Sequence, residues 1–156
     1  MKKLLSCLVA TVCIALCASC DDVIKSITFD ELPAKAKTLV SANFDTKDIL
    51  MVQSEGLGAG KEYKVFFNDN STVEFDNKGD LTDVKMFNKP VPDALIPEQI
   101  RKSTQLTNYL SKNSGVYIVE YEVDKRDKNE KYQIKFSNNV EWTFNASYVL
   151  VELDKD

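Results

Sequence analysis

The chain has no histidine, and its four cysteines (Cys7, Cys13, Cys17 and Cys20) all lie within the first twenty of its 156 residues. Histidine is the commonest general base in enzymes and cysteine is a common nucleophile, so Ser/His and Cys/His catalytic arrangements are excluded from the rest of the chain. Zinc sites lose their usual ligands for the same reason. The sequence therefore predicts a protein that is not an enzyme, with no catalytic residues, no metal site and no cofactor.

Glycine is scarce as well, with five residues in all, and the glycines at 56, 58 and 60 do not have the spacing of a phosphate-binding or dinucleotide-binding loop. Residues 76–80 are acidic but lack the alternating ligands and the distal glutamate of a calcium loop, so they predict a hairpin turn. The carboxylates of Glu120 and Glu122 lie at alternate positions of a predicted strand, which is typical of a solvent-facing surface.

The only long uncharged stretch is at the start of the chain. A positive beginning, with Lys2 and Lys3, is followed by uncharged residues 4–18 and by the small residues Ala18 and Ser19 before Cys20. This order is typical of a secretory signal peptide. The stretch is shorter than the roughly 20 apolar residues that span a membrane, and no later segment approaches that length.

Residues 16–20 resemble a bacterial lipobox, with Cys17 where an aliphatic residue is usual. We expect cleavage before Cys20 and its lipidation, which anchors a protein durably because each buried CH₂ contributes about 0.8 kcal/mol. The alternative is ordinary cleavage near Ser19. The next residues, Asp21 and Asp22, resemble the surface-export signal of Bacteroidetes lipoproteins, although a solvated linker fits them equally well. The expected location is the outer membrane, on the periplasmic side or at the cell surface.

Charge argues against one class of partner. Without Lys2 and Lys3 the chain keeps 18 basic residues against 24 acidic ones, a net charge of −6. Binding to nucleic acid depends on basic residues that neutralise phosphates, so we expect no nucleic-acid partner. We expect membrane contact only through the lipid anchor.

The remainder of the chain contains an internal repeat. Residues 62–84 align without a gap with residues 131–153, at an offset of 69. Upstream, Leu32-Pro33 corresponds to Ile96-Pro97. The paired positions are Tyr63/Tyr132, Val65/Ile134, Phe67/Phe136, Asn70/Asn139, Val73/Trp142, Phe75/Phe144, Leu81/Leu150 and Val84/Leu153.

Each repeat predicts one helix and four strands. The first helix begins near Pro33 and places an apolar face at positions 36, 39, 40 and 44; the second covers residues 97–111. The strands are predicted at 48–54, 61–68, 71–75 and 80–86, then at 116–123, 131–137, 140–145 and 148–153, with Tyr117, Val119, Tyr121 and Val123 on one face. Residues 124–130 form a charged loop. The expected fold is α+β, with two tandem helix-plus-four-strand repeats that form one antiparallel sheet with the helices on one face. The predicted organisation is a signal peptide (1–19), a linker (20–28), repeat 1 (29–88) and repeat 2 (89–156).

The Leu32-Pro33 helix start, Phe44 at the helix end and the strand–turn–strand of residues 63–81, with its Phe-Asp-x-x-Gly ending, resemble the PepSY-like periplasmic proteins of Bacteroidetes. The second repeat departs from this pattern, because residues 145–148 (Asn-Ala-Ser-Tyr) replace Asp-x-x-Gly. The resemblance implies a fold similar to that of the β-lactamase-inhibitor protein, with no catalytic residues and with an open sheet face that is offered to partners.

One aromatic residue breaks the alternation of the predicted strands. If Tyr63, Val65 and Phe67 pack against the helices, Phe66 points to the opposite face. An aromatic side chain on a mixed polar surface is typical of protein recognition, although an ordinary solvated sheet face is the alternative. The other candidate residues for this partner face are Lys64, Thr72, Glu74, Gln133, Lys135, Glu141 and Thr143.

The favoured function is therefore an exported, lipid-anchored, non-catalytic module that recognises or inhibits an envelope or surface protein. Two alternatives remain open: a sensor of a small ligand or of calcium, and a structural accessory of a surface complex.

Overall fold

The computed structural model of the chain describes residues 24–124 and 131–155, without the side chain of residue 155. The predicted signal peptide, Cys20, the pair Asp21 and Asp22 and residues 125–130 of the charged loop lie outside these residues. The described helices, α1 to α3, are Ala34–Asn43, Glu98–Arg101 and Thr104–Lys112. The described strands, β1 to β9, are Lys25–Ile27, Ile49–Glu55, Glu62–Phe67, Thr72–Phe75, Leu81–Lys85, Ile118–Asp124, Lys131–Phe136, Val140–Phe144 and Leu150–Lys155.

All nine strands form one antiparallel sheet in which the spatial order follows the sequence order from β1 to β9. The predicted α+β class with a single antiparallel sheet is confirmed. One strand more is present than was predicted: residues 20–28 were assigned to a linker, but Lys25–Ile27 is β1 and pairs with β2, with Ile27 opposite Val52. A three-residue strand is too short to show the alternation from which strands are predicted.

The two long hairpins have matching registers. Val65 lies opposite Val73 in the β3–β4 hairpin, and Ile134 lies opposite Trp142 in the β7–β8 hairpin. Both hairpins turn on an asparagine with positive φ, 66° at Asn70 and 64° at Asn139, a conformation that asparagine tolerates better than most residues. The correspondence predicted at an offset of 69 is therefore present in the backbone pairing, while the origin of both halves as copies of one unit stays a prediction.

The departure of the second repeat from the Asp-x-x-Gly turn leaves the geometry of that turn intact. The Oδ1 atom of Asp76 accepts hydrogen bonds from the backbone N–H groups of Lys78 and Asp80, at 3.0 and 2.9 Å. The Oδ1 atom of Asn145 accepts equivalent bonds from residues 147 and 149, at 2.9 and 3.0 Å. An amide oxygen replaces a carboxylate oxygen here because both can accept the same backbone hydrogen bonds.

Helix α1 begins directly after Pro33 and buries the predicted face. Ala36 and Val40 are fully buried, and Leu39 and Phe44 pack against the same core. The Phe44 ring lies 4.9 Å from the ring of Phe67 on β3, centroid to centroid, and so attaches the end of the helix to the sheet.

The second predicted helix is interrupted, and this corrects the prediction of one helix over residues 97–111. α2 ends at Arg101, and Ser103 takes an extended conformation and caps α3, with its side chain accepting a hydrogen bond from the N–H of Leu106. Ile100 and Leu106 are six residues apart and do not share one face of a straight helix. The break lets both side chains reach the core, where they are 0% and 2% exposed.

The predicted face of β6 is also corrected. The register between β6 and β7 shifts between Ile118 and Glu120, as expected for a β-bulge. Ile118 and Tyr121 consequently face the core, and Val123 packs against it, whereas Tyr117 and Val119 do not join it. The bulge changes the alternation without changing the local composition, so the apolar pattern did not reveal it.

Side chains from all three helices and from one face of the sheet form a single buried cluster. The opposite face of the sheet, called the outer face below, takes no part in it. No helix among the described residues is long and apolar enough to cross a membrane.

Candidate functional site

The outer face presents two rows of side chains that run across the sheet. Pairing between neighbouring strands defines each row, because directly opposed residues of an antiparallel pair point to the same side. The first row contains Gln53, Lys64, Glu74, Asp83, Glu122, Gln133, Thr143 and Glu152. The second row contains Met51, Phe66, Thr72, Lys85, Glu120, Lys135, Glu141 and Asp154.

All eight candidate residues lie on this face, in two separate groups. Strands β3 and β4 carry Lys64, Phe66, Thr72 and Glu74, and strands β7 and β8 carry Gln133, Lys135, Glu141 and Thr143. β4 and β7 are three strand spacings apart, which is roughly 14 Å. The structure therefore gives two patches, named here the Phe66 patch and the Lys135 patch, with β5 and β6 between them.

The Phe66 patch is centred on an aromatic ring outside the core. Phe66 is half-buried between its neighbours on β3, Val65 and Phe67, which are buried. The ammonium group of Lys64 lies 5.4 Å from the centroid of the Phe66 ring, within the range of a cation–π contact, and it also pairs with the carboxylate of Glu74. The ring is thus held in place by its neighbours while one side stays accessible.

The Lys135 patch is less accessible at one position. Thr143 is only 6% exposed, so it offers little surface to a partner. Gln133, Lys135 and Glu141 are partly exposed.

The centre of the outer face consists of residues that were not among the candidates: Asp83 and Lys85 on β5, and Glu120 and Glu122 on β6. The carboxylate of Glu120 pairs with the Lys85 ammonium group at 3.0 Å. Glu120 and Glu122 were predicted to face solvent. Their proximity to β5 could not be predicted, because it results from the pairing of the two repeats with each other. The position of Asp83 on the outer face was not predicted, because the register shift between Glu74 and Phe75 alters the alternation of β5.

Asp83 is the most perturbed acid of the described residues. Burial, together with the smaller effects of the charges of Glu120, Glu74 and Glu122, raises the pKa of its carboxyl group to about 7, against an opposing effect of Lys85. Its Oδ1 atom is buried and has no hydrogen-bond partner among the described residues. The Asp83 side chain is therefore held in a position that favours the neutral acid.

Asp83 lies in a shallow depression with five other acidic residues. The acidic side chains that line it are Glu62, Glu74, Asp76, Asp83, Glu122 and Asp124. Within the described part of the chain, no group of three or more such side chains is arranged to hold a metal ion. The two rows together carry seven carboxylates and three lysines, so the outer face is acidic overall.

Comparison with solved structures identifies close relatives of the fold. A crystal structure described as a putative periplasmic protein of the DUF2874 family from Bacteroides vulgatus is 27% identical, with a TM-score of 0.73, over 86% of this chain and 99% of that chain. One described as a putative calcium-regulated periplasmic protein from Bacteroides thetaiotaomicron is also 27% identical, with a TM-score of 0.69, over 85% and 97%. A third, a putative periplasmic protein of unknown function from Bacteroides vulgatus, is 24% identical, with a TM-score of 0.68, over 86% and 99%, and shows the fold alone.

No curated protein matches the sequence. The family described as "Putative beta-lactamase-inhibitor-like, PepSY-like" matches residues 61–152. This match covers more than half of the chain, including both long hairpins and the helices between them. The periplasmic relatives support an exported, periplasmic location. The chain therefore belongs to the PepSY-like family.

Proposed function

We propose that this protein is an exported, lipid-anchored, non-catalytic module that recognises a protein partner in the cell envelope through the outer face of its sheet. The observation that carries the proposal is the position of the helices: α1, α2 and α3 all contribute to the core on the other side, and no described helix covers the outer face. A partly exposed aromatic ring on an otherwise polar surface is the composition on which binding hot spots are found.

The Phe66 patch gives the sharpest test. Residues 21–156 would be immobilised and exposed to envelope extract of the native host. We expect one envelope protein to be retained by the wild type and lost with Phe66→Ala. Leu57→Ala is the matched control, because Leu57 is a 75% exposed apolar side chain in a loop away from the two rows. Equal retention by wild type and Phe66→Ala, with unchanged thermal midpoints, would contradict the proposed face.

We also propose that the two halves are tandem copies of one unit and that each contributes a patch. The matched hairpin registers and asparagine turns support this proposal. Substitution of Lys135 by alanine should then weaken retention of the same partner. If only Phe66→Ala has an effect, the second half serves to complete the sheet.

Lipid anchoring through Cys20 has its own test, which does not depend on the partner. We expect the wild type to partition into the detergent phase of an envelope preparation and a Cys20→Ser variant to remain in the aqueous phase, because the variant lacks the thiol that carries the lipid. Equal partitioning of the two proteins would leave the alternative of ordinary signal cleavage.

Regulation by calcium is a second candidate, which is favoured by the acidic depression around Asp83 and by the description of the relative from Bacteroides thetaiotaomicron. Because no described group of acids is arranged as a metal site, binding would require side chains to move. A calcium titration should raise the thermal midpoint of the wild type, and should raise it less for Asp83→Asn, if the depression holds the ion. An unchanged midpoint at millimolar calcium would exclude this candidate.

A further inference from the structure

Strand β9 forms one end of the sheet and pairs, within the described residues, only with β8. Its other edge presents backbone N–H and C=O groups that can pair with another strand. Three large apolar side chains lie on or just before this strand and are exposed: Val149 at 55%, Val151 at 56% and Leu153 at 59%. Soluble proteins usually protect such an edge, so an apolar edge strand of this length indicates a docking surface.

The side chains of residues 152–154 alternate in chemical character between the two faces of the sheet. Leu153 lies opposite Trp142, whose side chain is in the core, so Leu153 points to the helix side. Glu152 lies opposite Thr143, and Asp154 lies opposite Glu141, so both carboxylates point to the outer face. All three residues of this acidic–apolar–acidic sequence are exposed.

A second copy of the chain is a poor occupant of this edge. Two copies of β9 that pair in antiparallel fashion about a two-fold axis keep side chains of the same face opposite each other. In a register centred on Glu152, the two copies of Glu152 lie opposite each other. In one centred on Leu153, Glu152 of each copy lies opposite Asp154 of the other. In one centred on Asp154, the two copies of Asp154 lie opposite each other. Directly opposed like charges destabilise a strand pair, so each of these three registers is unfavourable.

We propose that the edge of β9 binds, by strand addition, an extended segment of another protein in which basic and apolar residues alternate. The backbone of the segment forms hydrogen bonds with β9, its basic side chains lie opposite Glu152 and Asp154, and an apolar side chain covers Leu153. Backbone pairing supplies affinity in this mode of recognition, and the alternate side chains supply specificity. This edge is separate from the Phe66 patch, which lies on the opposite half of the sheet.

The probe is the end-blocked peptide Lys-Val-Lys-Val-Lys-Val, titrated calorimetrically into residues 21–156. We expect measurable binding that becomes about tenfold weaker with the double variant Glu152→Lys/Asp154→Lys, because attraction turns into repulsion. The same loss is expected when the wild type binds a peptide that is N-methylated at every internal residue. This peptide keeps its charges and apolar groups but lacks the N–H donors of its internal residues. Amide hydrogen exchange should slow over residues 150–155 when the unmethylated peptide binds.

Phe66→Ala is the control that separates this edge from the outer face, and it should leave peptide binding unchanged. Thermal midpoints should show that the double variant is folded, since both of its sites are exposed. Equal binding of the two peptides, or an unchanged affinity of the folded double variant, would overturn the proposal. A wild-type dimer that dissociates on charge reversal would also overturn it, because a second copy would then be the occupant.

Discussion

Asp83 connects the acidity of the outer face to the pH dependence of stability. The pKa of its carboxyl group is about 7 in the folded protein, against an ordinary value of 3.8, so the folded state binds a proton that the unfolded state releases between these values. Stability from this group is fully present below about pH 4 and falls by at most about 1.4 kcal/mol per pH unit until pH 7. Asp83→Asn should therefore be more stable than wild type at pH 8, by roughly 1–3 kcal/mol.

Chemical denaturation at pH 8 and at pH 4 measures this difference, which should disappear at the lower pH. Asp154→Asn is the control, since Asp154 is exposed on the same face and should change stability by less than about 0.5 kcal/mol. An Asp83→Asn variant that is no more stable than wild type at pH 8 would show that the Asp83 carboxylate is better solvated than its burial indicates.

Gly79 combines two constraints at one residue. Its φ is +82°, and a Cβ atom there would lie 2.8 Å from the Cβ of Pro33 and 3.0 Å from the backbone nitrogen of Ala36. Gly115 has the same φ within a degree, at +83°, but nothing within 4 Å. We expect Gly115→Ala to cost about 1–2 kcal/mol from the backbone conformation alone, and Gly79→Ala to cost about 1–3 kcal/mol more from overpacking. Equal urea midpoints of the two variants would show that α1 moves away from residue 79 without a loss in the free energy of unfolding.

At the scale of one element, the break between α2 and α3 depends on a single cap. Ser103 accepts a hydrogen bond at 3.3 Å from the N–H of Leu106 and begins α3. Its replacement by alanine should destabilise the protein by about 1 kcal/mol, as is usual for the loss of a serine cap. Ser111→Ala in the same helix is the matched control, because Ser111 is exposed and does not cap. A similar small effect of both variants in urea denaturation would mean that packing of Ile100 and Leu106 alone positions the break.

The same scale explains what could be predicted from the sequence. The apolar face of α1 and the outward direction of Phe66 follow from local periodicity, and the structure bears them out. Strand β1, the Ser103 break and the register shifts beside Phe75 and Ile118 do not, because each depends on which strand or helix lies alongside. The same distinction applies to the candidate surface. Its eight residues were predicted to point outward, and they do, but the acidic residues at the centre of the face, between the two patches, were not predicted.

At the scale of the whole molecule, the outer face carries seven carboxylates and three lysines in its two rows. A partner that binds there should present a basic surface, and the association rate should fall as salt is raised from about 0.05 to 0.5 M, because charges are screened over shorter distances. Surface plasmon resonance of the retained partner measures this rate. A rate that does not change with salt would place the contact on the apolar part of the Phe66 patch alone.

The order of the strands has a further consequence for a chain that we propose to be exported. Each strand pairs with the strand that precedes it in the sequence. The hydrogen bonds of a strand therefore do not depend on a much later part of the chain. Such a topology has a lower contact order than a sheet in which distant strands pair, and its loop-closure entropy is lost in successive steps. The sheet can therefore grow from its amino-terminal end while the rest of the polypeptide is still emerging from the translocation machinery. The longest delay falls between β5 and β6, where the segment that contains α2 and α3 must emerge before the next strand can join.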